Sequence, residues 1–225
     1  MPLSQHRTRQ DFPIFVGLLF VVWTLRATVL FYVDQQLPEG TARQLYSLVS
    51  KALLWLAPAV LYAVAIRGDR PAMSLRLGWP DFSRQAWLTL VVAGTALLLV
   101  AWDAMRQHQT TLSGLGHAWL EHGMGVALWA LPTVAIEEMV FRGLLLTELT
   151  ERFRSGAANV IAALLFVAVH WPHWLWMHGF TTTLARDSAG VFFVGLVTGF
   201  LAHRTRSIWP GVVWHAANNC LAGVW

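Results

Sequence analysis

Charged side chains are scarce in this chain. Asp, Glu, Lys and Arg supply 12% of its 225 residues, against roughly 25% in an ordinary soluble domain. Too few are present to solvate the surface of a globule this size. Cysteine is nearly absent: the single Cys220 excludes an internal disulfide and a cysteine-rich metal centre, and its apolar surroundings give it the role of a small packed residue. No internal repeat or low-complexity tract interrupts the chain. Basic residues outnumber acidic ones, for a formal charge of +4 and a pI near 10. They form no basic face interleaved with aromatics, so nucleic acid is not an expected partner.

What is abundant is apolar. Hydrophobic residues make up 56% of the chain and mean hydropathy is +0.51. The 13 Trp belong to a residue type that gathers where a bilayer meets water. Runs of about 20 apolar residues are long enough to cross the hydrocarbon core. Such runs extend from Pro13 to Val33, Leu45 to Ile66, Ala86 to Met105, Gly123 to Leu146, Ala157 to about Trp176, Ala189 to Ala202 and Ile208 to Val224. The expected fold is therefore an all-α, polytopic membrane bundle of about seven transmembrane helices, or eight if a long one is broken. The sixth run is short, which predicts a tilted or buried helix. The first run continues past Arg7 and Arg9 to Val33 with no small-residue cleavage site, so it reads as an uncleaved first span. Pro71, Gly78 and Pro80 punctuate a polar, basic loop that has room for a short interfacial helix. The whole chain, 1–225, reads as a single membrane domain.

Arg and Lys outside the runs are unevenly distributed between alternate loops. With the N-terminus inside, ten fall on the inner side (Arg7, Arg9, Arg67, Arg70, Arg76, Arg84, Arg152, Arg154, Arg204, Arg206) and three on the outer (Arg43, Arg106, Arg186). The positive-inside bias then predicts a multi-pass protein of the plasma or inner membrane, with a cytoplasmic N-terminus and a C-terminus outside.

Ionisable residues occur inside the runs nonetheless. Insertion scales charge about 2.5 to 3.5 kcal/mol for an Asp, Arg or Lys at mid-span, and such residues face the bundle interior or a wet cavity. The fourth run carries Glu137, Glu138 and Arg142. Glu138 and Arg142, four apart, share a helix face and can pair, whereas Glu137 is rotated by about 100° and points elsewhere. By themselves these three are also compatible with a structural ion-pair cluster. His170 closes the fifth run and His215 lies in the last, with Asn219 one turn on. Polar groups on three separate spans find their cheapest partners in one another. A carboxylate in a dry site can take a proton from water, an imidazole can pass it on, and an imidazole N–H with an Asn amide can receive an oxyanion. That set suits peptide hydrolysis by water, since no Ser or Cys nucleophile lies at comparable depth. Two His and two Glu could in principle hold zinc. The chain has no H-E-x-x-H, and an Arg beside the carboxylates disfavours a dication, so no metal and no cofactor is expected.

Glu137-Glu138-Met139-Val140-Phe141-Arg142-Gly143 resembles the EExxxR motif of the CAAX-protease and bacteriocin-processing family. Phe166 to His170 resembles that family's FxxxH motif and His215 to Asn219 its HxxxN motif, in the same order. The resemblance covers roughly 123–225; the spans of 1–122 carry no recognised motif. It implies a helical bundle around a wet intramembrane cavity and a glutamic-type intramembrane endopeptidase. In that arrangement Glu137 activates water, His170 assists, His215 and Asn219 form the oxyanion hole, and Glu138 and Arg142 pair to orient the site. The implied partners are membrane lipid and a peptide or protein with a membrane-associated segment: a prenylated C-terminus, a bacteriocin leader or a C-terminal anchor. An outward-facing His170 fits an anchor or exported peptide better than a cytosolic tail. The same family includes immunity factors and scaffolds, so a non-enzymatic membrane protein is the alternative. A proton-coupled transporter is a further one, which the missing inverted repeat disfavours.

Four other features have local readings. Trp171-Pro172-His173-Trp174-Leu175-Trp176-Met177-His178 reads as an interfacial aromatic belt, or a lid over the cavity, with the helix kinked or stopped just past His170 by Pro172. Arg26 reads as a snorkelling or paired residue. Asp103 and Arg106 read as a solvated pair. His108, His117 and His122 read as polar residues in or near an outer loop.

Overall fold

The computed structural model describes residues 3–38, 40–82 and 86–223. Arg84 and Val224, used above for the charge bias and for the end of the last run, lie outside them, as do the side chains of Arg7 and Arg9. In lipid each backbone N–H and C=O must be satisfied within the protein, and a helix does this within one segment. All regular structure among the described residues is accordingly helical. The chain passes through α1 (Leu3–Thr28), α2 (Phe31–Gln36), α3 (Thr41–Lys51), a π-helical turn π1 (Ala52–Leu56), α4 (Ala57–Leu61), π2 (Tyr62–Arg67) and α5 (Pro71–Ser74). It continues through α6 (Ala86–Gln107), α7 (Leu112–Glu138), π3 (Met139–Leu145), α8 (Leu146–Thr150), α9 (Ser155–Ala168), α10 (Trp171–His178), α11 (Thr182–Thr205) and α12 (Trp209–Gly223).

Five helical stretches are long and apolar enough to cross a membrane: Gln10–Val33, Thr41–Arg67, Ala86–Gln107, Ser155–His178 and Thr182–Thr205. The pair Leu112–Gly123 and Gly125–Thr150, bent by 78°, makes a sixth. Its break falls between two glycines, the residues that least resist a helix kink. The last helix, α12, has 15 residues, fewer than the roughly 20 a full crossing takes. Between 17% and 33% of each apolar window of the five is buried inside the protein. Leu53, Leu90, Leu98 and Leu128 are 63% to 73% exposed. So broad an apolar surface is costly in water and neutral in lipid. The chain is a polytopic helical membrane protein.

Its loops collect at two ends. At one, Arg67 bonds Glu151, Arg76 donates to Thr147 and to the Ala202 carbonyl, Ser207 donates to the Gly78 carbonyl, and Arg152 lies over the Phe12 ring. The basic segments around 67–82, 148–154 and 202–208 therefore meet beside the start of α1. At the other end Phe31 packs on His173, and Leu221, near the end of α12, packs with Leu115, Ala118, Ala101 and Met105. Short as it is, α12 runs from the first end to the second.

Two elements differ from the sequence reading. The outer loop expected to hold His117 and His122 is the first part of α7, capped by Thr111, whose side chain accepts from Gly114 N. The sixth span, read from its apolar stretch as Ala189–Ala202, is the 24-residue α11, because Thr181 caps a polar first turn that extends the helix beyond the greasy part. Asp103 accepts from Gln107, one turn on. The short helix expected between Pro71 and Pro80 is α5.

One apolar core runs from Phe12 and Trp23 through Trp55, Phe141 and Phe166 to Trp214, so both halves of the chain share it. The segment carrying the glutamates lies at its centre: Val134, Val140, Phe141, Leu144 and Leu145 are fully buried. The helix α7 packs on α12 and α3, and α9 packs on α11.

Candidate active site

Glu137 and Glu138 end α7, and the chain then widens into π3. A π turn inside an α-helix is rare and recurs at functional sites. Here it carries Phe141, Arg142 and Gly143. Both carboxylates point inward, Glu137 5% exposed and Glu138 not at all, but they meet different partners. Oε1 of Glu138 lies 2.8 Å from Nδ1 of His215 and 3.3 Å from Nη1 of Arg142. Oε1 of Glu137 bonds the ammonium of Lys51, and its Oε2 lies 3.9 Å from Nε2 of His215. His215 thus bridges the two glutamates, one nitrogen toward each. The 100° rotation between adjacent helical residues is what separates their partners.

Glycines make room for this cluster. A methyl at Gly195 would stand 2.8 Å from Cβ of Ala163 and 3.5 Å from Nη2 of Arg142, and one at Gly211 would stand 3.4 Å from Oε2 of Glu138. The guanidinium of Arg142 lies over the Phe166 ring at 4.2 Å from its centroid, a cation–π contact favoured at a desolvated site.

His170 sits where α9 gives way to α10. The helix ends at Ala168, and Pro172 is the second residue of the next one, in the first turn where its missing N–H costs nothing. The break expected just past His170 falls at Val169–His170. Nδ1 of His170 is 2.7 Å from the Phe166 carbonyl, which can only accept. The proton therefore sits on Nδ1, and Nε2 of the neutral ring keeps its lone pair. The indole of Trp23, from α1, donates to the Val169 carbonyl at 2.9 Å and pins the turn. Phe166 touches both imidazoles edge-on, His170 at 5.0 Å and His215 at 5.7 Å between centroids.

Glu137, Lys51 and His170 line one cavity of about 280 Å³, walled by Trp23, Trp55 and Trp174. That volume holds several waters. Asn219, one turn beyond His215 on α12, is half-buried, and its Oδ1 accepts from Nδ2 of Asn218 at 3.2 Å. The structure therefore brings Glu137, Glu138, Arg142 and His215 into one contact network and places His170 on the same cavity as Glu137. Asn219 follows on the His215 helix, outside the residues lining that cavity. Among the described residues no three His, Cys, Asp or Glu side chains gather as a metal-binding group. An ammonium and a guanidinium stand at the carboxylates.

Sequence reasoning missed Lys51. Its one signal is a lysine inside the second apolar run, and the partner lies 86 residues away. Phe166 and Gly143 stood in the motifs without a role of their own, and Gly195 and Gly211 went unmarked, because what these residues supply is ring edges and space.

Residues 118–221 match the family model described as type II CAAX prenyl endopeptidase Rce1-like. No curated protein and no solved structure matches the chain. The matched segment takes in the two glutamates, both histidines and Asn219, and it excludes Lys51 and all of α1 to α6. Through residues 118–221 the chain is thus similar to the CAAX-protease family.

Proposed function

We propose that this protein is an intramembrane endopeptidase that hydrolyses a peptide bond of a membrane-associated peptide or protein with water activated by Glu137 and His170. The observation that carries the reading is the shared cavity. A carboxylate and an imidazole with a free Nε2 lone pair line a space large enough for water and for part of a peptide. The CAAX-type family match supports protease activity in general.

In this mechanism a water in the cavity gives its proton to Glu137, with His170 Nε2 holding the water by its lone pair. The oxygen attacks the scissile carbonyl as it is deprotonated. Positioned proton transfer of this kind is worth about 10² to 10⁴ in rate. Donors aimed at the developing oxyanion supply the other large contribution. Nε2 of His215 and the Asn219 amide fill that role: Asn219 Oδ1 is occupied by Asn218, which leaves Nδ2–H₂ to donate. Glu138 holds Nδ1–H of His215 and so fixes the ring with Nε2 on the Glu137 side of the site. Glu138 and Arg142 orient that ring. The carbon–nitrogen bond then breaks as the proton on Glu137 passes to the leaving amine.

The substrate class in this reading is a peptide whose apolar or lipidated portion resides in the bilayer, such as a prenylated CAAX terminus or a C-terminal anchor. Membrane lipid is the other partner. The protein sits in the plasma or inner membrane with its basic loops and N-terminus cytoplasmic and its C-terminus outside. Glu137→Gln and His170→Ala should each reduce processing of a co-expressed substrate by about 100-fold or more, the scale of general-base loss, as read by the shift in product mass. Unchanged processing in both variants rejects the mechanism.

A further inference from the structure

We propose that Lys51, contributed by the second span and outside the family-matched segment, is a positioning residue that fixes the Glu137 carboxylate for its work on water; the inference rests on the hydrolase reading above. The first argument is cost. A lysine inside a span is costly to insert, and Lys51 lies ten residues into the 27-residue stretch Thr41–Arg67. Its side chain is 15% exposed and its ammonium bonds Oε1 of Glu137. Among the described residues it is the one side chain within hydrogen-bond reach of that carboxylate, since the nearest nitrogen of His215 is 3.9 Å away.

The second argument is contrast between the neighbouring glutamates. Glu138 has His215 and Arg142, both from the matched segment. Glu137 depends on a different half of the chain. With Lys51 on Oε1, the carboxylate presents Oε2 toward His215. A buried carboxylate stripped of the cation bonded to it is expensive and neutralises by taking up a proton. It then no longer acts as a base.

The third argument is rigidity. The ammonium lies 5.7 Å from the centroid of the Trp55 ring, one turn on. Trp55 is buried against Trp23 at 4.1 Å and Phe141 at 5.5 Å. The stem of Lys51 is thereby held by the aromatic wall of the cavity. The other charged and titratable groups facing the space around Glu137 are Arg26, His170 and His173 on the cavity wall and His215 behind it. None of these is placed to hold Oε1.

The test uses the full chain in lipid nanodiscs and two readouts. Dicyclohexylcarbodiimide, which modifies protonated carboxyl groups in apolar surroundings, is applied without substrate and its adduct at Glu137 quantified by peptide mass spectrometry. Turnover is followed with a quenched-fluorescent prenylated CAAX peptide. Lys51→Met should raise labelling of Glu137 about 10-fold and lower kcat about 100-fold, the scale of losing a general base, with KM little changed. Lys51→Arg should restore both, which a purely structural role for the lysine does not require. If Lys51→Met does not fold, Lys51→Gln serves in its place. Unchanged labelling in the folded neutral variant overturns the inference whether or not the peptide is cleaved. Should the wild type cleave nothing, the labelling result still decides the role of Lys51, and the failure belongs to the hydrolase reading.

Discussion

Gly143 follows Arg142, and a methyl group there would stand 2.7 Å from the backbone oxygen of Leu75 and 2.8 Å from its Cα. The loop after α5 can approach the glutamate helix this closely because position 143 has no side chain. Neither partner is the flexible tip of a side chain, so neither can swing away. Gly143→Ala should destabilise the protein by about 1 to 3 kcal/mol, the usual cost of overpacking, read as a lower thermal unfolding midpoint in detergent. An unchanged midpoint would show that the loop gives way freely. At this scale the sequence is legible where polarity is expensive. Glu137, Glu138, Arg142, His170 and His215 stood out because each is polar within an apolar run, and the structure gathers them. Lys51 was as conspicuous, yet a charge does not announce its partner across 86 residues. Gly143 was opaque because the atom it must avoid belongs to a distant loop.

At the scale of elements, the helices around the glutamates are packed through small residues. The close approach of α11 to α9 at Gly195 and Ala163 follows the rule that membrane helices associate where small side chains let backbones meet. The apolar runs were legible, and so was the break after His170, because Pro172 states it locally. Helix ends set by polar caps, at Thr111 and Thr181, were not, since an apolar count stops where the grease stops. Nor were the π turns, which reflect packing. The loop between the second and third spans is held by charge. Asp69 accepts from Arg67 and, at 2.9 Å, from Ser74, and the Arg67 guanidinium followed by the Ser74 hydroxyl holds its carboxyl below the usual range. A depressed folded pKa adds stability that is complete above the unfolded value, about 3.9, and is lost as pH falls through the folded one. The stability gap between wild type and Asp69→Asn should therefore be full at neutral pH and close in acid, as measured by unfolding midpoints across pH. A gap that is constant with pH would assign the effect to packing.

At the scale of the molecule, seven passes were expected. The structure provides five clear crossings, a bent sixth, and a shorter seventh helix that still reaches the far end. The sequence could foresee the alternation because every pass reverses direction, and the basic segments around Arg67, Arg76, Arg152 and Arg204 do collect at one end. Which side of the membrane that end faces is set by charge bias rather than by packing. With Cys220 replaced by Ala, a membrane-impermeant maleimide added to intact cells should label Ser113→Cys and spare Ser155→Cys until the cells are opened. The reverse pattern would invert the orientation. The central claim is that side chains from separate spans surround one water-holding cavity and hydrolyse a peptide there. Its most direct test is the turnover of a quenched membrane-anchored peptide by purified Glu137→Gln protein, shown to be folded by circular dichroism. The account predicts a kcat about 10² to 10⁴ below wild type; a wild-type rate from the folded variant would contradict it.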